Sequence, residues 1–137
     1  MEYFAQLKEE DGVYLVTFPD FEHVNTYGET REDAIQAAVE ALNGVLSVDF
    51  ERGFVLPRPT PKRGRNAVSI RVDPNIALAY QLRALRKGQT QAAVAARVGI
   101  SYQAYQKLEN PRKCNPTVKT LEKISKAFGK TLEVGFH

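Results

Sequence analysis

The sequence predicts an α+β domain followed by an all-α domain that ends in a short strand. Three observations predict this order. Apolar alternation gives way to a three- and four-residue period at Thr30, prolines interrupt the chain over residues 57–66, and capped helical periods follow one another from Asp73 to Gly129.

Glu2 to Lys8 alternates around Tyr3, Ala5 and Leu7, and Val13 to Phe18 is rich in β-branched and aromatic residues, so both read as strands. Between them lies Glu9-Glu10-Asp11-Gly12, whose Asp-Gly pair favours a tight hairpin because glycine accepts a positive φ. After the turn-like Phe18-Pro19-Asp20-Phe21, a short third strand is expected from Val24 to Tyr27. Thr30 then caps a helix with Glu32 and Asp33 at the positive end of its dipole. Ile35, Ala38, Val39, Leu42, Val45 and Leu46 form one apolar stripe that must lie on the sheet, and the helix stops near Gly53. Residues 57–66, Pro-Arg-Pro-Thr-Pro-Lys-Arg-Gly-Arg-Asn, can continue neither a helix nor a central strand and read as a basic crossing loop. Val68, Ile70 and Val72 alternate with polar neighbours as a fourth strand. The first domain, residues 1–72, is therefore β-β-β-α-β.

The second domain, residues 73–137, opens at Asp73-Pro74, a favourable helix start, with Leu78, Leu82 and Leu85 as the buried stripe and Gly88 as the stop. Thr90 caps a second helix, Gly99 turns the chain, Ser101 caps a third, and Thr117 opens a fourth that ends at Gly129 with Val118, Leu121, Ile124 and Phe128 on one face. Thr131 to Phe136 alternates Leu132, Val134 and Phe136 as a terminal strand with no neighbour in sequence, which suits pairing with a second copy in a homodimer or tetramer.

Charge is segregated along the chain. Residues 1–56 hold three bases against twelve acids, whereas the remainder holds sixteen bases against four acids, within a total of +3. The basic half suits phosphates and the acidic half a basic protein surface; mutual attraction of the halves is the blander alternative. No apolar run approaches the roughly 20 residues that span a bilayer, and Met1-Glu2-Tyr3-Phe4 lacks a secretion signal's basic flank and apolar stretch, so a cytoplasmic protein away from membranes is expected. Cys114, the single cysteine, and two distant histidines, His23 and His137, cannot build a structural zinc site or a disulfide frame. No metal and no cofactor are expected, and Cys114 reads as a reduced bystander in a loop.

From Gln91 to Asn110 the chain meets the constraints of two helices crossing over a short turn. Ala95 permits close approach, Gly99 takes the turn, and Val94, Val98, Ile100, Tyr105 and Leu108 point into a shared core. The third helix then exposes Ser101, Tyr102, Gln103, Gln106 and Lys107, hydrogen-bonding side chains able to read base edges in a major groove of double-stranded DNA. Thr90 and Gln91 at a helix start, and Arg112 and Lys113 in the following loop, are placed to hold phosphates. Thr90-Gln91, Ala95, Gly99-Ile100-Ser101, Leu108-Glu109 and Asn115-Pro116-Thr117 give residues 73–136 a pattern that resembles the Cro/phage-repressor (XRE-type) helix-turn-helix family. Tyr105 departs from that pattern, which usually has a smaller aliphatic residue there.

The first domain has its own resemblance. Gly12 to Asp20, then Tyr27-Gly28-Glu29-Thr30 and Glu32-Asp33-Ala34, is similar to the HicB antitoxin family, with Phe21-Glu22-His23-Val24 replacing a Leu-Pro-Gly-Cys-like segment. The resemblance implies a partial RNase H-like domain that binds a HicA-type toxin, a small basic RNA-cleaving protein, while the second domain represses the shared operon. Phe18, Pro19, Asp20, Phe21 and Glu22 are the candidate toxin contacts.

An enzyme is not expected. Metal-dependent cleavage of a phosphodiester needs converging carboxylates, but Asp11 and Asp20 fall in turns and Glu32, Asp33 and Glu40 on a solvated helix face. His23, the only candidate base in the first domain, has no nucleophile with an orienting group beside it. Catalytic residues are therefore not assigned. The competing binder is a repressor whose first domain senses a small ligand and has no toxin partner.

Overall fold

In the computed structural model, which describes residues 1–137, the first hairpin closes where Asp-Gly predicts it. Strand β1 (Glu2–Glu10) pairs antiparallel with β2 (Val13–Phe18), and Asp11 and Gly12 both take positive φ between them, 52° and 82°. The third strand, β3 (Phe21–Gly28), begins earlier than Val24, because Phe18 pairs directly with Phe21 across a two-residue Pro19-Asp20 turn. Both rings are buried, and Phe21 meets Tyr3 edge to face at 4.8 Å, so burial draws into the strand a segment that its turn residues mark as loop. Helix α1 (Arg31–Glu51) follows, and β4 (Ala67–Arg71) returns beside β1 to complete the sheet order β3-β2-β1-β4.

These elements make up the first of two units, Met1–Ala77 and Leu78–His137. In the first, α1 buries Ala34, Ala38, Leu42, Leu46 and Phe50 on the sheet. Thr30 caps it through its hydroxyl, which accepts from the Asp33 N–H. The predicted stripe is displaced by a residue at its start, with Ala34 buried and Ile35 only partly so, because the helix lies very close to β3. A Cβ added to Gly28 would stand 2.2 Å from the Ala34 nitrogen, so only glycine admits the contact. Asn43, a buried polar residue of α1, ties the helix to the strand end: its amide donates to the Val39 and Arg71 carbonyls, and its oxygen accepts from the Asp73 N–H at 2.8 Å. Three partners repay the cost of burying an amide.

The chain leaves α1 and re-enters the sheet at β4 through the proline-rich segment 57–66. Its prolines exclude a strand, yet it is held at three points. Tyr3 donates its hydroxyl to the Pro57 carbonyl at 2.7 Å, Thr60 donates both its N–H and its hydroxyl to the Asp20 carboxylate, and the Leu7 N–H donates to the Asn66 carbonyl.

In the second unit, the later part of α2 (Pro74–Leu85) joins α3 (Gln91–Val98), α4 (Tyr102–Leu108) and α5 (Val118–Ala127). Leu82, Val94, Ala95, Val98, Tyr105, Leu108 and Ile124 form its core, with Leu78, Ile100 and Phe128 packed against them. Three expected core positions are not in it, Leu121 among them, only half-buried on α5. Leu85 and Val118 are exposed, since each lies at a helix end beyond the reach of the facing helices. The terminal strand is not formed either. Thr131–Phe136 carries no strand pairing in the single chain, because alternation supplies one face of a strand but not the hydrogen-bonding neighbour that a strand requires. No helix is long and apolar enough to cross a membrane.

Burial, with the Asp20 carboxylate nearby, pushes the Tyr3 hydroxyl up to about 12 from its ordinary 10. Raising the folded-state value favours the folded chain below pH 10, and that contribution is lost as pH rises from about 10 to 12. The Tyr3→Phe chain should therefore lose about 1 kcal/mol at neutral pH, the worth of the Pro57 hydrogen bond. It should also show a shallower alkaline fall in stability, by an amount of the order of 2 kcal/mol, in denaturation series at increasing pH. Identical alkaline profiles for both chains would remove Tyr3 as the group responsible.

Candidate nucleic-acid interface

The interface is assembled from three helix starts, each closed by a local hydroxyl. Thr90 accepts from the Ala93 N–H at 3.0 Å, Ser101 from the Ala104 N–H at 3.1 Å, and Thr117 from the Thr120 N–H at 3.2 Å. Between the first two starts, Gly99 ends α3 in the left-handed conformation, φ 86°, and its N–H returns to the Ala95 carbonyl. Ala95 is buried where α3 crosses α4, the small side chain that such a crossing requires.

This turn fixes which face of α4 looks outward. Tyr105 and Leu108 are buried, while Ser101, Tyr102, Gln103, Gln106 and Lys107 are exposed together, as the helical period predicts. Arg112 and Lys113 are exposed in the loop after α4, where the Asn110 carboxamide accepts from the Arg112 N–H. Lys107 and Lys113 flank a cavity of about 260 Å³ that also reaches Ile100, Pro116 and Thr117. Thr90 is exposed at the head of α3, but Gln91 beside it is half-buried, and its amide donates to Glu109 at 3.4 Å. Gln91 is thus tethered inside the unit rather than free to move.

Sequence reasoning missed the anchor of this tether. Glu109 is buried immediately after α4, and both its oxygens accept from Arg86: Oε2 from Nε at 2.7 Å and Oε1 from Nη2 at 2.9 Å. Arg86 also donates to the Gln89 carbonyl, so one guanidinium joins the end of α2, the approach to α3 and the end of α4. The Glu109 hydrogen bond raises the already high Arg86 value, keeping the guanidinium charged. The Tyr105 hydroxyl is enclosed beside this pair with no hydrogen-bond partner; burial first, then the Glu109 carboxylate, pushes it well above the ordinary tyrosine range. A second cation, Arg97, lies over the Phe128 ring at 5.2 Å and donates to the Gln89 carboxamide, fixing α3 against the end of α5. Cys114 lies in the loop after α4 and is buried, and burial pushes its thiol up, which keeps it protonated and unreactive.

In the first unit, the structure corrects the candidate protein contacts. Phe18 and Phe21 are core side chains, and Asp20 is occupied by Thr60; of that turn, Pro19 and Glu22 are exposed. Leu15 and Tyr27 pair across β2 and β3, in the register opposite to the buried Val16, and are exposed, Tyr27 by 64%. They lie on the face of the sheet away from α1.

A family model described as the HicB-like antitoxin of bacterial toxin–antitoxin systems matches residues 2–75, and a helix-turn-helix model matches residues 81–134. Among known proteins the chain is similar to Antitoxin HicB 1 of Photorhabdus laumondii subsp. laumondii, 29% identical over 123 residues, spanning 90% of this chain and 78% of the relative. It is also similar to Antitoxin HicB of Escherichia coli strain K12, 29% identical over 127 residues, spanning 90% of each chain.

Glu109→Gln should leave the buried face of the Arg86 guanidinium without its counter-charge and destabilise the second unit by roughly 3 kcal/mol, read by chemical denaturation. Replacing both partners with apolar residues, Arg86→Met with Glu109→Leu, should cost less than either single change. Additive losses would show that the pair is not coupled.

Proposed function

The chain belongs to the family of HicB-like antitoxins of bacterial toxin–antitoxin systems, and from that premise we propose that it neutralises a HicA-type RNA-cleaving toxin and represses its own operon. The observation that carries this reading is the union, in one chain, of an antitoxin-family sheet unit with twelve acids among its first 56 residues and a helix-turn-helix unit that exposes a polar α4 face.

On DNA, α4 enters the major groove. Gln103 and Gln106 offer the paired donor and acceptor that adenine matches, Lys107 donates to guanine, and Ser101 and Tyr102 complete the face. Thr90, Arg112 and Lys113 hold phosphates, and Gln91 does so from the position that Glu109 gives it. Thr131–Phe136 pairs with the same segment of a second copy; Leu132 is half-buried, and Val134 and Phe136 stand in solvent until that neighbour arrives. Such a two-fold dimer sets two α4 helices on successive turns of the duplex. On the toxin, the sheet unit acts by occlusion and performs no chemistry. Its contacts are Pro19, Glu22 and the Leu15–Tyr27 pair, with the acids of the β1–β2 turn steering a basic partner toward them.

Gln103→Ala should weaken operator binding by roughly 1–3 kcal/mol and leave random DNA nearly unaffected, and removal of residues 131–137 should give monomers in sedimentation that bind the operator without cooperativity. Equal losses on both DNAs would count against base reading, and a truncated dimer against the tail. For the toxin, the full-length chain should abolish RNA cleavage, and Tyr27→Lys should weaken that inhibition at least tenfold, about 1.4 kcal/mol. Inhibition by Tyr27→Lys equal to that of the unsubstituted chain would place the toxin on another surface.

A further inference from the structure

The segment 57–66 carries Arg58, Lys62, Arg63 and Arg65 and no acid. All four are exposed, and none forms an ion pair, although the segment belongs to the unit that holds most of the chain's carboxylates. If these cations served to neutralise their own unit, the neighbouring acids would hold them. They do not. The nearest carboxylate that the backbone of the segment engages, Asp20, is taken by the N–H and hydroxyl of Thr60 and not by any of the four cations.

Nor is the segment a loose linker. It is held at Pro57, Thr60 and Asn66 by Tyr3, Asp20 and Leu7, and Pro57, Pro59 and Pro61 limit the backbone between these points. A flexible basic tail loses conformational freedom when it settles on a polyanion, and that loss subtracts from its affinity. Here most of that ordering is already done in folding. The four charges stand exposed along a tethered backbone, without internal partners, in a chain whose other unit binds DNA.

We propose that this strap is a second DNA contact, a sequence-independent one, in which Arg58, Lys62, Arg63 and Arg65 bind backbone phosphates of the duplex held by the helix-turn-helix unit. The inference rests on the DNA-binding reading of that unit. From the strap the chain passes through β4 alone to α2, so binding by α4 brings the strap to the same duplex at high effective concentration. Arginine suits the task, since its planar fork grips phosphate oxygens in pairs. The Asp20–Thr60 contact is then a positioning device: it holds the strap in place without spending a cation.

The test compares the full-length chain with its Arg58→Gln, Lys62→Gln, Arg63→Gln, Arg65→Gln variant on a random-sequence duplex and on the DNA upstream of its own gene, over a salt series from about 50 to 200 mM. Removing one phosphate-binding cation should lower the slope of log affinity against log salt by about 0.9, so the variant should fall by roughly 2–4 on both DNAs and bind at least tenfold more weakly at the low-salt end. A Lys107→Gln, Arg112→Gln variant run in parallel separates the two readings. If it reduces the slope while the strap variant matches the unsubstituted chain, the strap proposal is overturned and the helix-turn-helix reading stands. If the unsubstituted chain itself fails to bind either duplex, both fall. A strap variant with unchanged DNA slopes but weakened inhibition of the toxin would also overturn the proposal, and would assign the strap to the protein partner.

Discussion

The geometry of the helix-turn-helix unit depends on one ion pair, with Glu109 buried and Arg86 partly so. Arg86 and Glu109 are 23 positions apart, and their two parallel hydrogen bonds join the end of α2 to the end of α4 across the start of α3. Apolar contacts among Val94, Tyr105 and Leu108 would hold these helices together at many nearby angles, because dispersion is non-directional. A bidentate guanidinium–carboxylate pair is directional and tolerates little rotation. It therefore sets how far α4 leans from α3, and with it where Gln103, Gln106 and Lys107 stand. Glu109 also holds Gln91 at the head of α3, so one carboxylate governs both the placement of α4 and a side chain at the start of α3.

Tyr105 makes sense against this pair. The tyrosine ring is itself completely buried in the core that the pair borders, and fills more of it than a small aliphatic residue would. The cost is an enclosed hydroxyl beside the charged groups of Glu109 and Arg86. In the sheet unit the constraint is of another kind. Since β3 and β4 occupy opposite edges, the chain must cross the whole sheet, and it does so first as α1, seated on Gly28, and then as the strap held by Tyr3 and Asp20.

What could be read from the sequence is what depends on near neighbours. Thr30, Thr90, Ser101 and Thr117 each cap a helix through a residue three positions ahead, and Gly12 and Gly99 turn the chain where only local sterics matter, so a window of a few residues contains the whole cause. The outward face of α4 was legible for the same reason: once its cap and period are known, its exposed residues follow. The Arg86–Glu109 pair and the three bonds of Asn43 were not legible, because their partners lie far along the chain and only folding brings them together. Phe18-Pro19-Asp20-Phe21 misled in the opposite direction. Its turn residues pointed to an exposed contact loop, while its aromatic rings, free to fold back against Tyr3, went inside. The tail at Thr131–Phe136 shows a further limit, since alternation records a capacity to pair and the single chain supplies no neighbour for it.

The charge segregation also has a physical address. Register places the β1–β2 turn, Glu9-Glu10-Asp11, at the same end of the sheet as Gly28-Glu29 and the start of α1 with Glu32 and Asp33, because Glu9 pairs with Tyr14 and Tyr14 with Gly28. Lys8 offsets this end only through a long, exposed contact with Glu10. Asp20, in contrast, sits in the turn at the other end of β2, where it secures the basic strap. The strap then runs back toward the acidic end, because the Asn66 carbonyl accepts from the Leu7 N–H, two positions before Glu9. Fields from exposed charges fade over about 8 Å at physiological salt, and two residues of strand span only roughly 7 Å, so Arg63, Arg65 and the acids of the β1–β2 turn act on one another through solvent although no ion pair joins them. The sheet unit is thus not divided into two independent charged ends, and a partner of either sign meets both sets of charges where strap and turn come together.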